Sequence, residues 1–228
     1  MDFLLDSLIQ AVQLIFTYDP DVYRTVWISL WTSSLAIVLA SLIGIPVGLA
    51  IGICQIPGKR IVITLLNTLM ALPTVVVGLI CYGFLSRLGP LGFWGLLFTP
   101  WAMIIGQVIL AAPIIANYTL GALSAADKRI MPTALTLGAS SLQSSLQLLQ
   151  EIRFGAMAAV IAGFGRVIAE VGVAMMLGGN IRGFTRTMTT AIALETSKGE
   201  FAFGLALGLF LMAVALLVNL FLNLLQQR

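Results

Sequence analysis

The sequence contains no histidine among its 228 residues, which excludes a proton relay through imidazole and a histidine-ligated metal site. There are only two cysteines, Cys54 and Cys81, and both lie in or beside strongly apolar segments. They therefore indicate neither a disulfide framework nor a metal site. The phosphate-binding pattern G-x-x-x-x-G-K-[ST] is also missing. If the protein's work consumes ATP, another polypeptide must hydrolyse it, and no resident cofactor is expected in this chain.

Charge is scarce as well. Asp, Glu, Lys and Arg make up 9% of the chain, 60% is hydrophobic, and the mean hydropathy is +1.06. Soluble domains usually carry about 25% charged residues, so the composition predicts an all-α membrane protein that crosses the bilayer several times. The net charge of +3 is too small and too dispersed to indicate a nucleic-acid partner. Asp2 and Asp6 stand where a signal peptide would carry Lys or Arg, so no cleavable signal is expected.

Five apolar segments are long enough for membrane-spanning helices, which need about 20 residues. They cover approximately 25–53, 61–85, 101–123, 155–177 and 201–225. The shorter segment 3–16 has apolar residues at helical spacing, and we expect it to lie in the membrane interface. The sequence thus divides into an N-terminal amphipathic segment (1–20) and a transmembrane domain (24–225), with a polar loop at about 124–154 between the third and fourth spans.

Five spans would place the two termini on opposite sides of the membrane. With the N-terminus outside and the C-terminus in the cytoplasm, six cations face the cytoplasm and five face outside. The cytoplasmic set is Lys59, Arg60, Lys128, Arg129, Arg153 and Arg228, and the outer set is Arg24, Arg87, Arg182, Arg186 and Lys198. Because basic residues are enriched in cytoplasmic loops, this small excess favours that orientation.

Prolines and glycines mark special positions inside the spans. Pro73 and Pro113 lie near the middle of the second and third spans, where proline frees backbone carbonyls and predicts a kink. Such kinks occur along substrate pathways and also as simple packing bends. Gly44, Gly48 and Gly52 recur every fourth residue and predict a close helix–helix contact. We favour a contact within one chain over a contact between two copies.

The polar loop has the pattern of one amphipathic helix. Its apolar stripe consists of Leu135, Ala139, Leu142, Leu146 and Leu149, and its polar face of Ser140, Gln143, Ser144, Gln147 and Gln150. Pro132 suits the first position of this helix, Gly138 permits a bend, and Ser124 with Asp127 fits a capping box. Such a helix is suited to docking on a protein partner at the membrane surface, although an ordinary surface-lying linker has the same spacing.

Arg166 and Glu170 are the only charged residues inside the predicted spans. Residues four apart on a helix share a face and can pair. An ionised side chain at the bilayer centre costs at least about 2.5–3.5 kcal/mol, so this pair is expected either to lock helices together or to line a pathway. The glycine-rich stretch 178–187 follows, where Arg182, Arg186 and backbone amides offer donors for an oxyanion. These two arginines fit equally well as anchors at lipid headgroups or as partners of an acidic protein.

This region resembles the permease subunits of type I ABC importers, within them the molybdate, tungstate and sulfate branch. The stretch RVIAEVGVAMMLGGN matches the pattern R-x-[LI]-x-E-[FYV]-G-x-x-x-x-[LI]-x-G-N through Arg166, Glu170, Gly172, Gly179 and Asn180. With GFGR before it and MMLGGNI at its end, it looks most like the tungstate permeases. The next segment, R-x-x-T-R-T-M, resembles the region near the external gate. The resemblance therefore implies a translocation path or gate at Arg166, Glu170, Asn180, Arg182, Arg186 and Thr187.

The polar loop resembles the coupling loop of the same family, E-A-A-x-x-x-G-x9-I-x-L-P. Aligned on Gly138, the match includes Ala134 and the Gly-Ala-Ser of 138–140. It departs from the pattern at Pro132 and Thr133, which replace Glu-Ala, and at 150–151, where Gln-Glu replaces Leu-Pro. The resemblance implies that coupling to an ATPase involves Ala134, Gly138, Ala139, Ser140 and Leu142.

The resemblance also implies an architecture and partners. The fold would be a type I ABC importer transmembrane domain with five transmembrane helices and an N-terminal interfacial helix, acting as a homodimer in the cell membrane. An ABC ATPase subunit would bind on the cytoplasmic side and an extracytoplasmic oxyanion-binding protein outside. The expected cargo is tungstate, with molybdate or sulfate as alternatives. A motor-independent secondary transporter or channel, and a membrane scaffold, are the competing hypotheses; an inverted repeat would favour the secondary transporter, and none is evident.

Overall fold

Helices dominate the computed structural model, which describes residues 2–54, 57–127 and 129–226. Within these residues there are eleven α-helices, one 3-10 helix (Gly92–Trp94) and no strand, as the sequence predicts. The α-helices are α1 (Asp2–Phe16), α2 (Pro20–Ile53), α3 (Lys59–Met70), α4 (Thr74–Leu85), α5 (Pro100–Ala125), α6 (Ile130–Thr136), α7 (Ser141–Glu151), α8 (Arg153–Ile168), α9 (Gly172–Gly178), α10 (Met188–Lys198) and α11 (Phe201–Gln226). Lys128 and Arg228, two of the cations counted for orientation, lie outside the described residues.

Among the described residues, three helices are long and apolar enough to cross a membrane without interruption: α2, α5 and the part of α11 from Phe201 to Phe221. Helix α2 begins at Pro20 rather than near residue 25. The Asp19 side chain caps it by accepting hydrogen bonds from the amides of Asp21 (3.0 Å) and Val22 (3.1 Å). Pro20 fits the first helical position, where its missing N–H leaves no bond unmade.

The second and fourth predicted spans are broken helices. Helices α3 and α4 meet at a bend of 93°, and α8 and α9 at a bend of 60°. Pro73 causes the first break, because it has no N–H to donate and disfavours helical backbone at Leu72. The kink predicted at Pro113 does not interrupt α5, which continues through that residue. The second break lies at 169–171 instead, so the described residues hold three uninterrupted spans and up to five crossings.

One end of the bundle, the loop end, carries α6, α7 and the start of α3. Lys59, Asp127 and Pro132 line one cavity there, so the elements that bear them are neighbours. Gly52, in the last turn of α2, lines the same cavity. Since α2 is 34 residues long, its other terminus lies about 50 Å away at 1.5 Å per residue.

The other end, the far end, carries the start of α2 and the connections 86–99 and 179–187. The amide of Phe98 donates to the carbonyl of Leu177 at 2.8 Å, which joins the first connection to the end of α9. Arg182 pairs with Asp21, which joins the second connection to the first turn of α2. Helices α2, α5 and the bent pairs therefore run between two chemically distinct ends.

The small-residue face of α2 packs against α5 of the same chain. A side chain at Gly48 would place its Cβ 2.5 Å from the carbonyl oxygen of Ala116, and one at Gly44 would lie 2.8 Å from that of Ala112. A Cβ at Gly52 would lie 2.0 Å from Leu123 Cδ2. These approaches are closer than van der Waals contact permits. The three glycines of α2 therefore make a helix–helix contact within one chain.

Helix α1 packs against the start of α2 and against α11. Leu14 joins a buried cluster that includes Val22 and Leu207, and the Tyr23 hydroxyl donates to the carbonyl of Ile15 at 3.0 Å. The apolar residues at helical spacing, Leu5, Leu8, Ile9, Val12 and Phe16, are exposed on the other side of this helix. The helix thus has one face on the protein and an apolar face free for lipid.

Candidate functional site

The predicted Arg166–Glu170 pair forms, and it lies at the break between α8 and α9. Arg166 NH1 is 3.0 Å from Glu170 Oε2, and Glu170 Oε1 accepts a hydrogen bond from the amide of Val173 at 3.1 Å. The Glu170 side chain is 2% exposed, whereas that of Arg166 is 40% exposed. One buried carboxylate therefore links the last turn of α8 to the first turn of α9. Their spacing alone predicts that the two residues share one continuous helix. In the structure α8 ends at Ile168, so Glu170 lies in the break beyond it.

Glu170 occupies a position where a negative charge is favourable. The first amides of a helix have no intrahelical acceptor and carry a partial positive charge, so a carboxylate beside Val173 stabilises the start of α9. The backbone of Glu170 is held too, because the Thr189 hydroxyl donates to its carbonyl oxygen at 2.7 Å. Three elements, α8, α9 and α10, are thus tied to this single residue.

The two helix breaks touch each other. A side chain at Gly172 would place its Cβ 2.8 Å from Thr74 Oγ1 and 3.1 Å from Val75 Cγ2, at the first turn of α4. One turn farther, a Cβ at Gly78 would lie 3.1 Å from Met176 Sδ. Helices α4 and α9 therefore pack closely from their first turns. The sequence marks Pro73 but holds no local signal for this contact.

The connection 179–187 is a tightly hydrogen-bonded loop. The Thr185 hydroxyl donates to the carbonyl of Gly178 at 2.5 Å and accepts from the amide of Ile181 at 3.0 Å. Gly179, Asn180 and Gly183 have φ angles of 71°, 51° and 73°, the left-handed region that glycine and asparagine tolerate best. Asn180 Oδ1 is buried and finds no hydrogen-bond partner among the described residues. The loop is therefore a defined structure that leaves an acceptor unused.

The two arginines proposed as oxyanion donors are engaged in ion pairs. Arg182 forms a bidentate pair with Asp21, in which its Nε lies 3.1 Å from Oδ1, and the Asp21 carboxylate raises the pKa of the guanidinium. Arg186 NH1 lies 3.4 Å from Glu195 Oε1, and Lys198 approaches the same carboxylate at 3.1 Å. Arg186 Nε is buried without a partner in the described part of the chain. An arriving anion would have to compete with two carboxylates for these donors.

Thr187 caps α10 rather than facing open space. Its hydroxyl accepts from the amide of Thr190 at 3.3 Å, and the residue is 4% exposed. The next amide, that of Met188, donates to the Ser29 hydroxyl of α2 at 2.7 Å. The sequence pattern does not identify Ser29 or Glu195 as part of this site, because neither residue belongs to the motif that marks it.

The polar loop forms two helices where the sequence predicts one. Helix α6 begins at Ile130, so Pro132 is its third residue and not its first. The helix ends before Gly138, whose φ of 88° reverses the chain. Ser140 then caps α7 in a capping box with Gln143, whereas Ser124 lies in the last turn of α5 and donates to the carbonyl of Gly121. The prediction of a capping box at Ser124 is therefore wrong, and the spacing did not predict the capping box at Ser140.

The loop end presents an apolar surface to its surroundings. The exposed side chains are Leu135, Leu137, Leu142 and Leu146, with Leu142 71% and Leu137 83% exposed. On the inner side of α7, Ser144 and Leu148 are buried. Ser144, which the spacing places on the polar face, is therefore buried against the bundle and not exposed. Ala134 and Ala139 line a groove of about 580 Å³ between the two helices, beside Leu137.

The candidate residues thus fall into two groups at different levels of the bundle. Ala134, Gly138, Ala139, Ser140 and Leu142 lie at the loop end. Arg166, Glu170, Asn180, Arg182, Arg186 and Thr187 lie between the helix breaks and the far end. Helices α7 and α8 connect them, separated only by Ile152.

Known proteins are similar to this chain over most of its length. The tungstate uptake system permease protein TupB of Campylobacter jejuni is 42% identical over 219 residues, covering 96% of this chain and 92% of its own. The protein of that name from Peptoclostridium acidaminophilum is 37% identical over 219 residues, covering 96% of both chains. Sulfate and molybdenum transport permeases are more distant, at 27–28% identity.

The fold has solved counterparts as well. A structure of inward-facing conformations of the MetNI methionine ABC transporter matches 90% of this chain and 94% of its own, with a TM-score of 0.74 and 19% identity. The family model described as binding-protein-dependent transport system inner membrane component matches residues 44–228. The chain therefore belongs to that family, the membrane permease subunits of ABC importers, which are not enzymes themselves.

Proposed function

We propose that this chain is the permease subunit of an ATP-driven tungstate importer and forms the translocation path as a homodimer. The observation that carries the proposal is the 37–42% identity to tungstate permeases over 96% of the chain, against 27–28% for the sulfate and molybdenum permeases. An ABC ATPase subunit supplies the energy, and an extracytoplasmic binding protein delivers the anion. Molybdate and sulfate are the alternative cargoes.

The proposed membrane arrangement has five crossings, with each bent pair counted as one. The loop end faces the cytoplasm, where ATP and the ATPase are found, and the far end with the N-terminus faces outside. Helix α1 then lies in the outer interface, with the apolar face of Leu5, Ile9 and Phe16 toward lipid. The units are the N-terminal segment 1–20 and the transmembrane domain 24–225, with its coupling loop at about 124–154.

The proposed ATPase-docking surface is the exposed apolar face of α6 and α7. Leu137 and Leu142 have the largest exposed fractions among the large apolar side chains described in this loop, and an exposed apolar cluster marks an interaction site. Ala134, Gly138, Ala139 and Ser140 shape the groove and the turn between the helices. Since α8 starts two residues after α7 ends, a displacement of α7 is passed to α8 and on to the Glu170 break.

The proposed gate is the region where the two helix breaks meet. Glu170 fixes α9 to α8, and Arg166 keeps two-fifths of its side chain exposed at the same level. Asn180, Arg182, Arg186 and Thr187 belong to the outer side of this path. The ion pairs of Arg182 and Arg186 would exchange for contacts with the anion as the gate opens.

The test is uptake of isotopically labelled tungstate, molybdate and sulfate by the complete complex in vesicles, with and without ATP. ATP-dependent uptake with tungstate preferred is the expected result. Equal uptake of the three anions would remove the tungstate preference. Uptake that needs no ATP or ATPase would instead identify a secondary transporter.

A pair of variants at one position tests the coupling loop within the same assay. Gly138→Val forces a β-branched residue into a left-handed backbone conformation, whereas Gly138→Asn is tolerated there. Uptake per ATP hydrolysed should fall in the valine variant and remain near the wild-type level in the asparagine variant. Equal behaviour of the two variants would contradict the role of this turn in coupling.

A further inference from the structure

Helix α3 rises from the loop end alongside α5. At its first residue, Lys59 Nζ donates to the carbonyl of Gly52 at 2.7 Å, and Gly52 lies against Leu123 of α5. Farther along α3, Asn67 accepts a hydrogen bond from Asn117 at 2.7 Å. The level on α5 thus moves from residue 123 to residue 117 as α3 advances. Because α3 follows α5 toward the middle of that span, it does not lie across the end of the bundle.

The surface of α3 divides into three sectors, since successive residues lie about 100° apart around a helix. One sector packs on the bundle, where Leu66 is buried with Val62 and Ile63 beside it. A second sector, the polar sector, is exposed within an arc of about 100° and consists of Arg60, Thr64, Asn67 and Thr68. The third is exposed and apolar, and consists of Ile61, Leu65 and Leu69.

Lipid satisfies the apolar sector but not the polar one. The hydroxyls of Thr64 and Thr68 donate to carbonyls of their own helix at 2.9 and 2.8 Å, which by itself makes threonine tolerable in hydrocarbon. Asn67 is different, because its Oδ1 accepts from Asn117 while its exposed Nδ2 donates to no residue in the described part of the chain. Arg60 likewise makes no ion pair with a described residue. An unused amide and an unpaired cation on one face require water or a protein partner.

The polar sector reaches deep into the membrane. At 1.5 Å per residue, Thr64 and Thr68 lie about 8 and 14 Å from the start of α3, beside a hydrocarbon core about 30 Å thick. Helix α3 ends just before the Pro73 break. The first turn after that break carries Thr74, which packs against Gly172 at the second break. The polar sector therefore extends from the loop end to the level of the proposed gate.

A groove of about 520 Å³ continues the polar surface onto α5. Asn117, which holds Asn67, lines it together with Tyr118 and with Met70 from the end of α3. The rest of its lining is small: Gly121, Ala122, Gly155 and Ala158. Neither this lining nor the polar sector contains an acidic side chain. This face therefore offers amides, hydroxyls and one cation, a set that is compatible with an anion.

We propose that the polar sector of α3 lines a water-filled passage through the loop-end half of the membrane, along which a hydrated oxyanion leaves the gate for the cytoplasm. The inference rests on the proposed function and adds the surface that the anion passes after the gate. Arg60, the second residue of α3, lies at the mouth and attracts an anion toward the loop end. The neutral side chains between it and the gate hold the ion weakly, as passage requires. The apolar sector, at the same depth, faces lipid.

Neighbouring positions on α3 test the passage, because they share a depth and differ only in direction. The four substitutions form two pairs, Thr64→Cys with Leu65→Cys and Thr68→Cys with Leu69→Cys. The background carries Cys54→Ser and Cys81→Ala, which removes both native thiols. All four tested positions are exposed in the single chain. A thiol attacks a thiosulfonate as its thiolate, which forms in water and is disfavoured in hydrocarbon, so the rate reports which sector is wet.

The first measurement is the rate at which the anionic reagent methanethiosulfonate ethylsulfonate modifies each variant of the complete complex in lipid nanodiscs. We expect Thr64→Cys and Thr68→Cys to react at least about tenfold faster than Leu65→Cys and Leu69→Cys. Equal rates in the two sectors would overturn the proposal. Fast reaction throughout would place α3 outside the bilayer, and slow reaction throughout would mean that lipid or a second copy of the chain covers the polar sector.

The second measurement is tungstate uptake by vesicles, which shows whether an anion uses the passage. In the Thr64→Cys variant, the anionic reagent should lower uptake at least about tenfold relative to the unmodified variant, through repulsion between like charges. The neutral reagent methyl methanethiosulfonate should leave uptake within about twofold. Unchanged uptake after complete anionic modification would overturn the passage. If the wild-type complex takes up no oxyanion, the proposed function itself fails, whereas the modification rates decide separately whether the polar sector faces water.

Discussion

The Arg166 guanidinium and the Glu170 carboxylate lie 3.0 Å apart across the bend that separates α8 from α9. Because the same carboxylate accepts from the amide of Val173, the ion pair and the start of α9 depend on each other. An interaction of this kind fixes the angle of a bent span without a continuous helix. It places the one buried carboxylate of the span at the level where the two helix breaks touch.

A double-mutant cycle tests this pair. Arg166→Met should destabilise the protein more than Arg166→Met combined with Glu170→Gln, because the single change leaves a buried carboxylate without its cation. We expect a coupling free energy of about 1–3 kcal/mol from thermal unfolding in detergent. Arg153→Met, at the exposed start of α8, is the control and should show no coupling to Glu170→Gln. Strictly additive effects at 166 and 170 would contradict the link.

The hydrogen bond between α2 and α10 gives a second prediction. Ser29→Ala leaves the buried amide of Met188 without an acceptor, so the free energy of unfolding should fall by about 1–3 kcal/mol. Ser41→Ala is the matched control on α2, because the Ser41 hydroxyl donates to the carbonyl of Ile37 in its own helix and to no other helix in the described part of the chain. Equal losses of stability in the two variants would show that the contact with α10 contributes nothing.

The glycine contact between α2 and α5 gives a third. Gly48→Ala places a Cβ 2.5 Å from the carbonyl oxygen of Ala116, and such overpacking should cost about 1–3 kcal/mol. Gly208→Ala is the control, since a Cβ there meets no described residue within 4 Å. The midpoint of thermal unfolding should fall only in the first variant. A Gly48→Ala protein as stable as wild type would contradict this prediction, because α2 and α5 could then move apart at no cost in stability.

The loop-end surface gives a fourth. Leu142→Asp places a charge on a side chain that is 71% exposed, so the permease should fold normally but lose most of its co-purification with the ATPase. Gln150→Glu adds a charge at another exposed position of α7 and should leave co-purification near the wild-type level. Unchanged capture of the ATPase by the Leu142→Asp variant would exclude α7 from the docking surface.

Hydropathy and local residue preferences predicted much of this architecture. Five apolar segments and the scarcity of charge indicated an all-α membrane protein, and Pro73 marked a break because a proline ring cannot donate a helical hydrogen bond. The four-residue spacing of Arg166 and Glu170 predicted their pairing, since local geometry alone brings such residues together. Gly138 marked a bend for the same local reason, its freedom to adopt a positive φ.

Only the tertiary structure decided the features that depend on distant neighbours. The loop forms two helices because Ser140 and Gln143 cap a new start after Gly138, and Ser144 turns inward because α7 packs back on the bundle. The bend at 169–171 has no proline, and the contacts of Glu170 with Val173 and Thr189 stabilise it instead. Arg182 and Arg186 acquire carboxylate partners from α2 and α10. A sequence pattern records the preferences of a residue and its near neighbours, whereas these positions depend on which helix surfaces meet when the chain packs.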